Sequence, residues 1–427
     1  MSLRETTIET LKNEATGDSY KIVRHKSGLD LLLYPMQDYM FTSAMFAADY
    51  GSINNCFKTA EDDDFVTVPD GIAHYLEHKL FENEDCGVFE LYAKSGADGN
   101  AMTGFENTIY LFSCTENFYD SLRILLDFVQ KPYFTQENVD KEQGIIGQEI
   151  RMTMDIPRRR VFFNLLTALY SKHPVRLDIA GTEESIAEIT PELLYKCYYA
   201  FYDLHNMVLS VAGNFDVDKL IEVCDELLKP CEDKKLEILL PDEPAEVAQK
   251  RIEEKVGVGV PLFSIGFKCR PFAGKELVRK ELAAQYMLSL LAGVTTPLYK
   301  KLKEEHLIPS GLSKETFDGK GFFALTFSGE SDDPDRVAEL ILEAAEDAKK
   351  NGFDEEYFEL LKKSEYGDLV KNLDSPENCA EMMLDCYFNG MDIFSNAEMI
   401  QSITIDEVYE ALNEFIDSDK MSISIVR

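Results

Sequence analysis

The chain repeats itself at half its length, and that repeat limits the possible folds more than any single residue does. TIYLFSCTENFYDSLRILLDFVQKPYFTQENVDKEQGIIGQEI, from Thr108, and FALTFSGESDDPDRVAELILEAAEDAKKNGFDEEYFELLKKSEYGDL, from Phe323, follow one plan. Each reads as an apolar strand ending in Phe-Ser, an acidic turn, a helix with apolar residues at helical spacing, a short break and a second long helix. Ser113 falls on Ser328, a shift of 215 positions. Separately, SIAEITPELLYKCYYAFYDLHNMVLSVAG, from Ser185, matches MIQSITIDEVYEALNEFIDSDKMSISIVR, from Met399, at a shift of 214. Both start a helix at Ile-Thr, with Thr190 and Thr404 as N-caps, and run on into a β-rich strand. Two matches at one spacing predict an α+β fold of two homologous domains, each an antiparallel sheet with helices packed on one face. A chain of 427 residues is too long for one ordinary core and suits two. The polar, proline-bearing stretch from Leu227 to Lys255 holds the join. The expected division is 1–228, a linker over 229–250, and 251–427.

The repeat also isolates what it does not repeat. The chain has six histidines, and two of them, His74 and His78, stand four residues apart in GIAHYLEHKLF with Glu77 between them. Pro69-Asp70-Gly71 reads as a turn into a helix, with Asp70 as N-cap. On a helix, His74 and His78 share one face, one turn apart, and two imidazoles so placed can grip one zinc ion at about 2 Å. Glu77 leans over the same face, where a general base for water activation belongs. A catalytic zinc needs a third protein ligand and an open position. NVDKEQGIIGQEIRM offers Glu142 and Glu149, two helical turns apart and facing the same way. One of the two can bind the metal, and the other can accept the spare N–H of a ligand histidine. Shifted by 215, His74, Glu77, His78 and Glu149 land on Ser289, Ala292, Gly293 and Ser364, so the second half carries no copy. The remaining histidines, His25, His173, His205 and His306, are read as structural or solvated.

Charge narrows the partners. The net charge of −35 disfavours nucleic acid and anionic membranes and favours cations, metals and basic peptides. Most of the carboxylates are read as solvated surface. Nine scattered cysteines with no CxxC pair argue against a disulfide framework and for a reducing compartment. The N-terminal MSLRETTIETLKNEATG lacks the apolar core of a secretory signal, and the run around LSLLAG is too short to span a bilayer. A cytoplasmic protein is expected.

At HYLEH the sequence resembles the inverzincin zinc peptidases, the family of pitrilysin, insulin-degrading enzyme and mitochondrial processing peptidase. The likeness continues through SGADGNAMTGFENTIYLFS, similar to the family's G-A-x-x-N-A-x-T segment, and through the paired-glutamate helix. It covers essentially the whole chain and is strongest to the short bacterial YmfH-like members. The resemblance implies zinc held by His74, His78 and Glu149, Glu77 as general base and Glu142 as the supporting carboxylate. It also implies that Asn100 and Ala101 lie beside the site and receive substrate as an added β-strand, a mode that reads extended backbone. The implied activity is that of a zinc metalloendopeptidase, hydrolysing unfolded peptides or small basic polypeptides inside a chamber of which this chain forms half.

One departure stands out. Active family members carry an arginine and, seven residues later, a tyrosine in the second domain. Here PLYKKLKEEHLIPSGLS places Lys303 and Ser310 at those positions. Lysine lacks arginine's planar fork, and serine is too short to replace tyrosine. A hetero- or homodimer with a homologous two-domain chain is therefore expected, and a partner that keeps the Arg–Tyr pair would supply what this chain lacks. The alternative is a non-catalytic or metal-binding chamber subunit of a peptidase-like complex. Arg158-Arg159-Arg160 is read as a salt-bridged helix start, and HPVRLDIAGT, from His173, as a loop without a derivable role.

Overall fold

The structure, a computed structural model, describes residues 5–13, 17–82, 84 and 87–427. Among these, the first half supplies β1 (Thr7–Lys12), β2 (Ser19–Arg24), β3 (Asp30–Pro35), β4 (Thr42–Ala48), β5 (Cys56–Lys58), β6 (Val66–Thr67), β7 (Asp98–Thr103), β8 (Thr108–Cys114) and β9 (Met207–Gly213). Then follow β10 (Glu237–Ile238), β11 (Arg251–Glu254), β12 (Leu262–Cys269), β13 (Leu312–Gly319), β14 (Phe322–Glu330) and β15 (Met421–Val426). One sheet runs β1-β2-β3-β9-β4-β8-β7 and a second β11-β15-β12-β14-β13, while β10-β5-β6 form a small third.

Set aside β1 and β2, and the two large sheets have one topology. The strands β3, β9, β4, β8 and β7 correspond to β11, β15, β12, β14 and β13. The repeat in the sequence is thus a repeat in strand order. Both sheets are antiparallel apart from one parallel pair each, β3 with β9 and β11 with β15. The last strand of each half returns from a helix and slots in beside the first strand of its repeat, and such a long crossover is what a parallel neighbour requires.

Each sheet packs helices of its own half on one face. The first core gathers Leu31, Phe46, Tyr110, Phe112, Leu122 and Leu125. The second gathers Phe263, Ile265, Phe327, Leu340, Ile341 and Leu412. Yet every residue of β4 and of β12 is buried, so both faces of each sheet are covered. The second face is covered by a helix from the opposite half. Helix Pro157–Leu169 lies on β12 and β15, where Gly266 leaves room for Leu165 and Leu169. Helix Pro376–Phe388 lies on β3, β4 and β9, and Ser210 Oγ donates to the Ala380 carbonyl at 2.8 Å. Both exchanged helices open on proline at their first turn, where no amide donor is needed. Each fully buried leucine in these contacts contributes about 1.5–3 kcal/mol.

The stretch 229–250 is tied to both halves. Its β10 pairs with β5. Glu243 accepts from the backbone N–H groups of Ser171, Lys172 and His173 and from Lys268 Nζ. Burial works against ionising Glu243, but Lys268 and the three amides outweigh it and hold the carboxyl at about 2. Thr190 and Thr404 cap their helices through Leu193 N and Glu407 N. Arg158, Arg159 and Arg160 pair with Glu330, Asp178 and Glu254. Among the described residues no helix is long and apolar enough to cross a membrane.

Candidate metal centre

The histidine helix spans Ile72–Leu80, and its start differs from the expectation. The N-cap is Gly71, at φ 89°, and not Asp70, whose Oδ1 instead accepts from Asn55 Nδ2 at 3.0 Å. Glycine is required there by conformation and by space. A Cβ on Gly71 would lie 2.4 Å from the Ala180 carbonyl oxygen. Gly181, at φ 75°, is pressed in turn against the Asp70 carbonyl, and Ser185 Oγ donates to that same carbonyl at 2.8 Å. The loop from His173 to Thr182 therefore braces the start of the histidine helix. Arg159 holds the loop through both carboxylate oxygens of Asp178.

Ile72, Ala73, Tyr75, Leu76 and Leu80 anchor the helix in the first core and turn His74 and His78 to its open side. Their rings stand 4.6 Å apart, centroid to centroid. The facing helix, Gln136–Met154, is started by Thr135 in a reciprocal cap with Asn138. It is fixed to the first helix by Tyr75, whose hydroxyl donates to the Val139 carbonyl. This places both glutamates. Glu149 Oε1 lies 3.6 Å from His74 Nε2, and its Oε2 lies 3.6 Å from His78 Nε2. Glu142 Oε1 lies 3.1 Å from His78 Nδ1. Since an ionised carboxylate only accepts, Nδ1 of His78 is the donor toward Glu142, and the Nε2 of the ring faces Glu149. His74 Nδ1 is buried and without a hydrogen-bond partner among the described residues, and its Nε2 likewise faces Glu149.

The electrostatics follow from burial. Burial, then the neighbouring His78 charge, pulls His74 down to about 4, so its imidazole is neutral, as a metal ligand must be. Burial also lowers His78, but the Glu142 hydrogen bond and the carboxylates of Glu77, Glu142 and Glu149 outweigh it and leave it raised. Burial pushes the Glu77 carboxyl up, and a hydrogen bond from Thr103 Oγ1 to its Oε2, at 2.8 Å, opposes that rise. Two imidazoles and a carboxylate, all with ligand atoms within 4.8 Å of one another, are the donor set of a divalent transition metal such as zinc, and the residues fit it.

Thr103 belongs to β7, the outermost strand of its sheet, so Asn100 and Ala101 sit on an edge that runs toward Glu77. The Ala101 amide is met by its neighbour's Asn100 Oδ1 at 2.9 Å. Lys303 and Ser310 are occupied within their own half. Lys303 Nζ donates to the carbonyls of Ile308 and Pro309 at 3.0 Å, and Ser310 Oγ to Glu330 Oε2 at 2.7 Å. Asp203, His205 and Cys231 form another compact group. There, however, Asp203 Oδ1 is already taken by the backbone N–H and the Nδ1 of His205. In the sequence Thr103 ends the G-A-x-x-N-A-x-T match, Arg159 lies in a basic helix start and Asp178 in a loop without a derivable role, and none of them is given a part in the site there. Lys79 is not singled out, although a cation among the apolar residues of the histidine helix is a signal that could have found it.

Residues 67–183 match the family described as Insulinase (Peptidase family M16), and residues 188–365 match the Peptidase M16 inactive domain. The chain is 38% identical to an uncharacterized zinc protease, YmfH, of Bacillus subtilis (strain 168), over 97% of this chain and 98% of that one. The crystal structure of an M16-like peptidase from Alicyclobacillus acidocaldarius is similar at a TM-score of 0.90 and 35% identity, covering 100% of this chain and 99% of the other. Pitrilysin shares the fold at a TM-score of 0.75 and 16% identity, covering 99% of this chain but 46% of its own length.

Proposed function

This chain belongs to the M16 family of peptidases, and from that premise we propose that it is a zinc metalloendopeptidase of unfolded peptides and small basic polypeptides. The observation that carries the reading is the convergence of His74 Nε2, His78 Nε2 and Glu149 with Glu77 held beside them. His74, His78 and Glu149 would hold the zinc, which when bound supplies Lewis acidity and brings the pKa of water toward about 7. Glu142 orients His78. Glu77, raised by burial, is suited to accept a proton from the attacking water on its carboxylate and to deliver it to the leaving amine nitrogen. The β7 edge at Asn100 and Ala101 would hold an extended peptide by its backbone. The Ala101 amide exchanges its Asn100 partner for a substrate carbonyl.

Lys303 and Ser310, engaged within their own half, favour the further proposal that this chain is the metal-bearing half of a chamber. A homologous chain with the Arg–Tyr pair would close it, in the cytoplasm. The working division into a metal-binding domain over 1–228, a join over 229–250 and a metal-free domain over 251–427 belongs to the same reading. The test is cleavage of unfolded basic peptides by the zinc-loaded chain, alone and with such a homologue. Activity lost in Glu77→Gln while zinc is retained is the expected result. Cleavage that survives Glu77→Gln sinks the peptidase reading, and a chain that binds no zinc sinks the metal site with it.

A further inference from the structure

We infer that Lys79 is a positioning residue for the metal centre, acting through Glu142 on His78. The inference rests on the zinc reading above. Lys79 directly follows His78, yet its side chain is fully buried. Its ammonium lies 3.9 Å from Glu142 Oε2, while Glu142 Oε1 takes the Nδ1 proton of His78 at 3.1 Å. The two oxygens of one carboxylate thus face a lysine and a ligand histidine. Among the described residues no other lysine or arginine comes within ion-pair distance of Glu142, and its own side chain is only 10% exposed. A buried carboxylate without a cation is free to turn or to be displaced.

The remaining contacts of Lys79 fix its position. Its Nζ donates to the Asn138 carbonyl at 3.1 Å, on the first turn of the glutamate helix, and pairs with Glu82. Glu82 does not depend on Lys79, because Lys141 holds its other oxygen at 3.0 Å. Among the described residues Glu142 has no second lysine or arginine of this kind. The ammonium therefore sets which way the Glu142 carboxylate lies, the carboxylate sets the tautomer and plane of the His78 ring, and the ring aims Nε2 at the metal. Groups that orient ligands in this way are worth about 10- to 100-fold in metal affinity.

The experiment is zinc affinity by competition with a chelator, on wild type, Lys79→Gln, Lys79→Met and Glu82→Gln, with apo-protein circular dichroism and thermal unfolding alongside. Lys79→Gln removes the charge and keeps an N–H donor, on a side chain one atom shorter. It and Lys79→Met are expected to bind zinc about tenfold more weakly, while Glu82→Gln stays within about twofold of wild type. In a Glu142→Gln background, Lys79→Gln should cost nothing further, because its path is already cut. A folded Lys79→Gln with wild-type affinity overturns the inference. So does a Glu82→Gln loss equal to that of Lys79→Gln, which would mark a merely structural brace. Should both neutral variants lose the fold, Lys79→Arg carries the test. Affinity kept within about threefold supports the charge as the cause, and a loss of about tenfold or more in the folded Arg variant overturns it. Wild type that binds no zinc would instead refute the metal reading itself.

Discussion

Thr103 Oγ1 donates a hydrogen bond to Glu77 Oε2 at 2.8 Å, joining the edge strand β7 to the histidine helix. One contact therefore couples the proposed base to the strand proposed to hold substrate. Thr103→Val should leave zinc content unchanged and lower peptide turnover by about 10- to 100-fold, the cost of a misplaced reacting group. Metal analysis beside a peptide assay checks this. Loss of zinc in the variant would show that Thr103 supports the metal instead.

The Glu149 carboxylate faces both Nε2 atoms. Glu149→Gln and His78→Ala should each weaken zinc binding by more than about 100-fold, beyond the loss expected for an orienting group. Glu77→Gln should keep its zinc. Equilibrium dialysis of the three variants separates ligands from base.

Gly71 and Gly96 both stand at positive φ, 89° and 79°, but only Gly71 is crowded. A Cβ at Gly96 meets nothing within 4 Å. Gly96→Ala should cost about 1–2 kcal/mol from backbone strain alone. Gly71→Ala adds a collision with the Ala180 carbonyl and should cost more, with weakened zinc binding because the histidine helix starts there. Denaturant titration and chelator competition on both variants test the difference.

Glu281 is pushed up to about 8, by burial first and then by the charge of Asp318, with Asp385 and Glu365 adding to it. An unfolded glutamate titrates near 4.3. The folded state therefore gains from the protonated form below about pH 4 and loses that gain as the pH climbs through 8. Glu281→Gln should be more stable than wild type at pH 8, by up to about 5 kcal/mol, and equal to it near pH 4. Thermal unfolding across that range reads the convergence. A constant offset at all pH values would assign the effect to packing.

Much of this was legible in the residues. A repeat at one spacing survives because each half must bury its own sheet, and burial imposes the same apolar pattern twice. The proposed metal residues were legible because helical spacing alone puts His74 beside His78 and Glu142 on the face of Glu149. Asp70 was misassigned as the cap because turn chemistry names a neighbourhood, and the Ala180 carbonyl across the chain selected Gly71 within it. The exchange of helices Pro157–Leu169 and Pro376–Phe388 was hidden, since an apolar stripe states that a face is covered and not by what.

The order of residues by itself determined two like halves, the HxxEH motif in one of them and the acidic net charge. Tertiary structure alone decided which oxygen of Glu142 meets His78 and which meets Lys79, that the His173–Thr182 loop props the histidine helix, and that each sheet is closed by the other half. The division has a physical cause. Periodicity and spacing act along the chain, within a few turns, whereas hydrogen bonds and packing across tens or hundreds of residues exist only once the chain has folded.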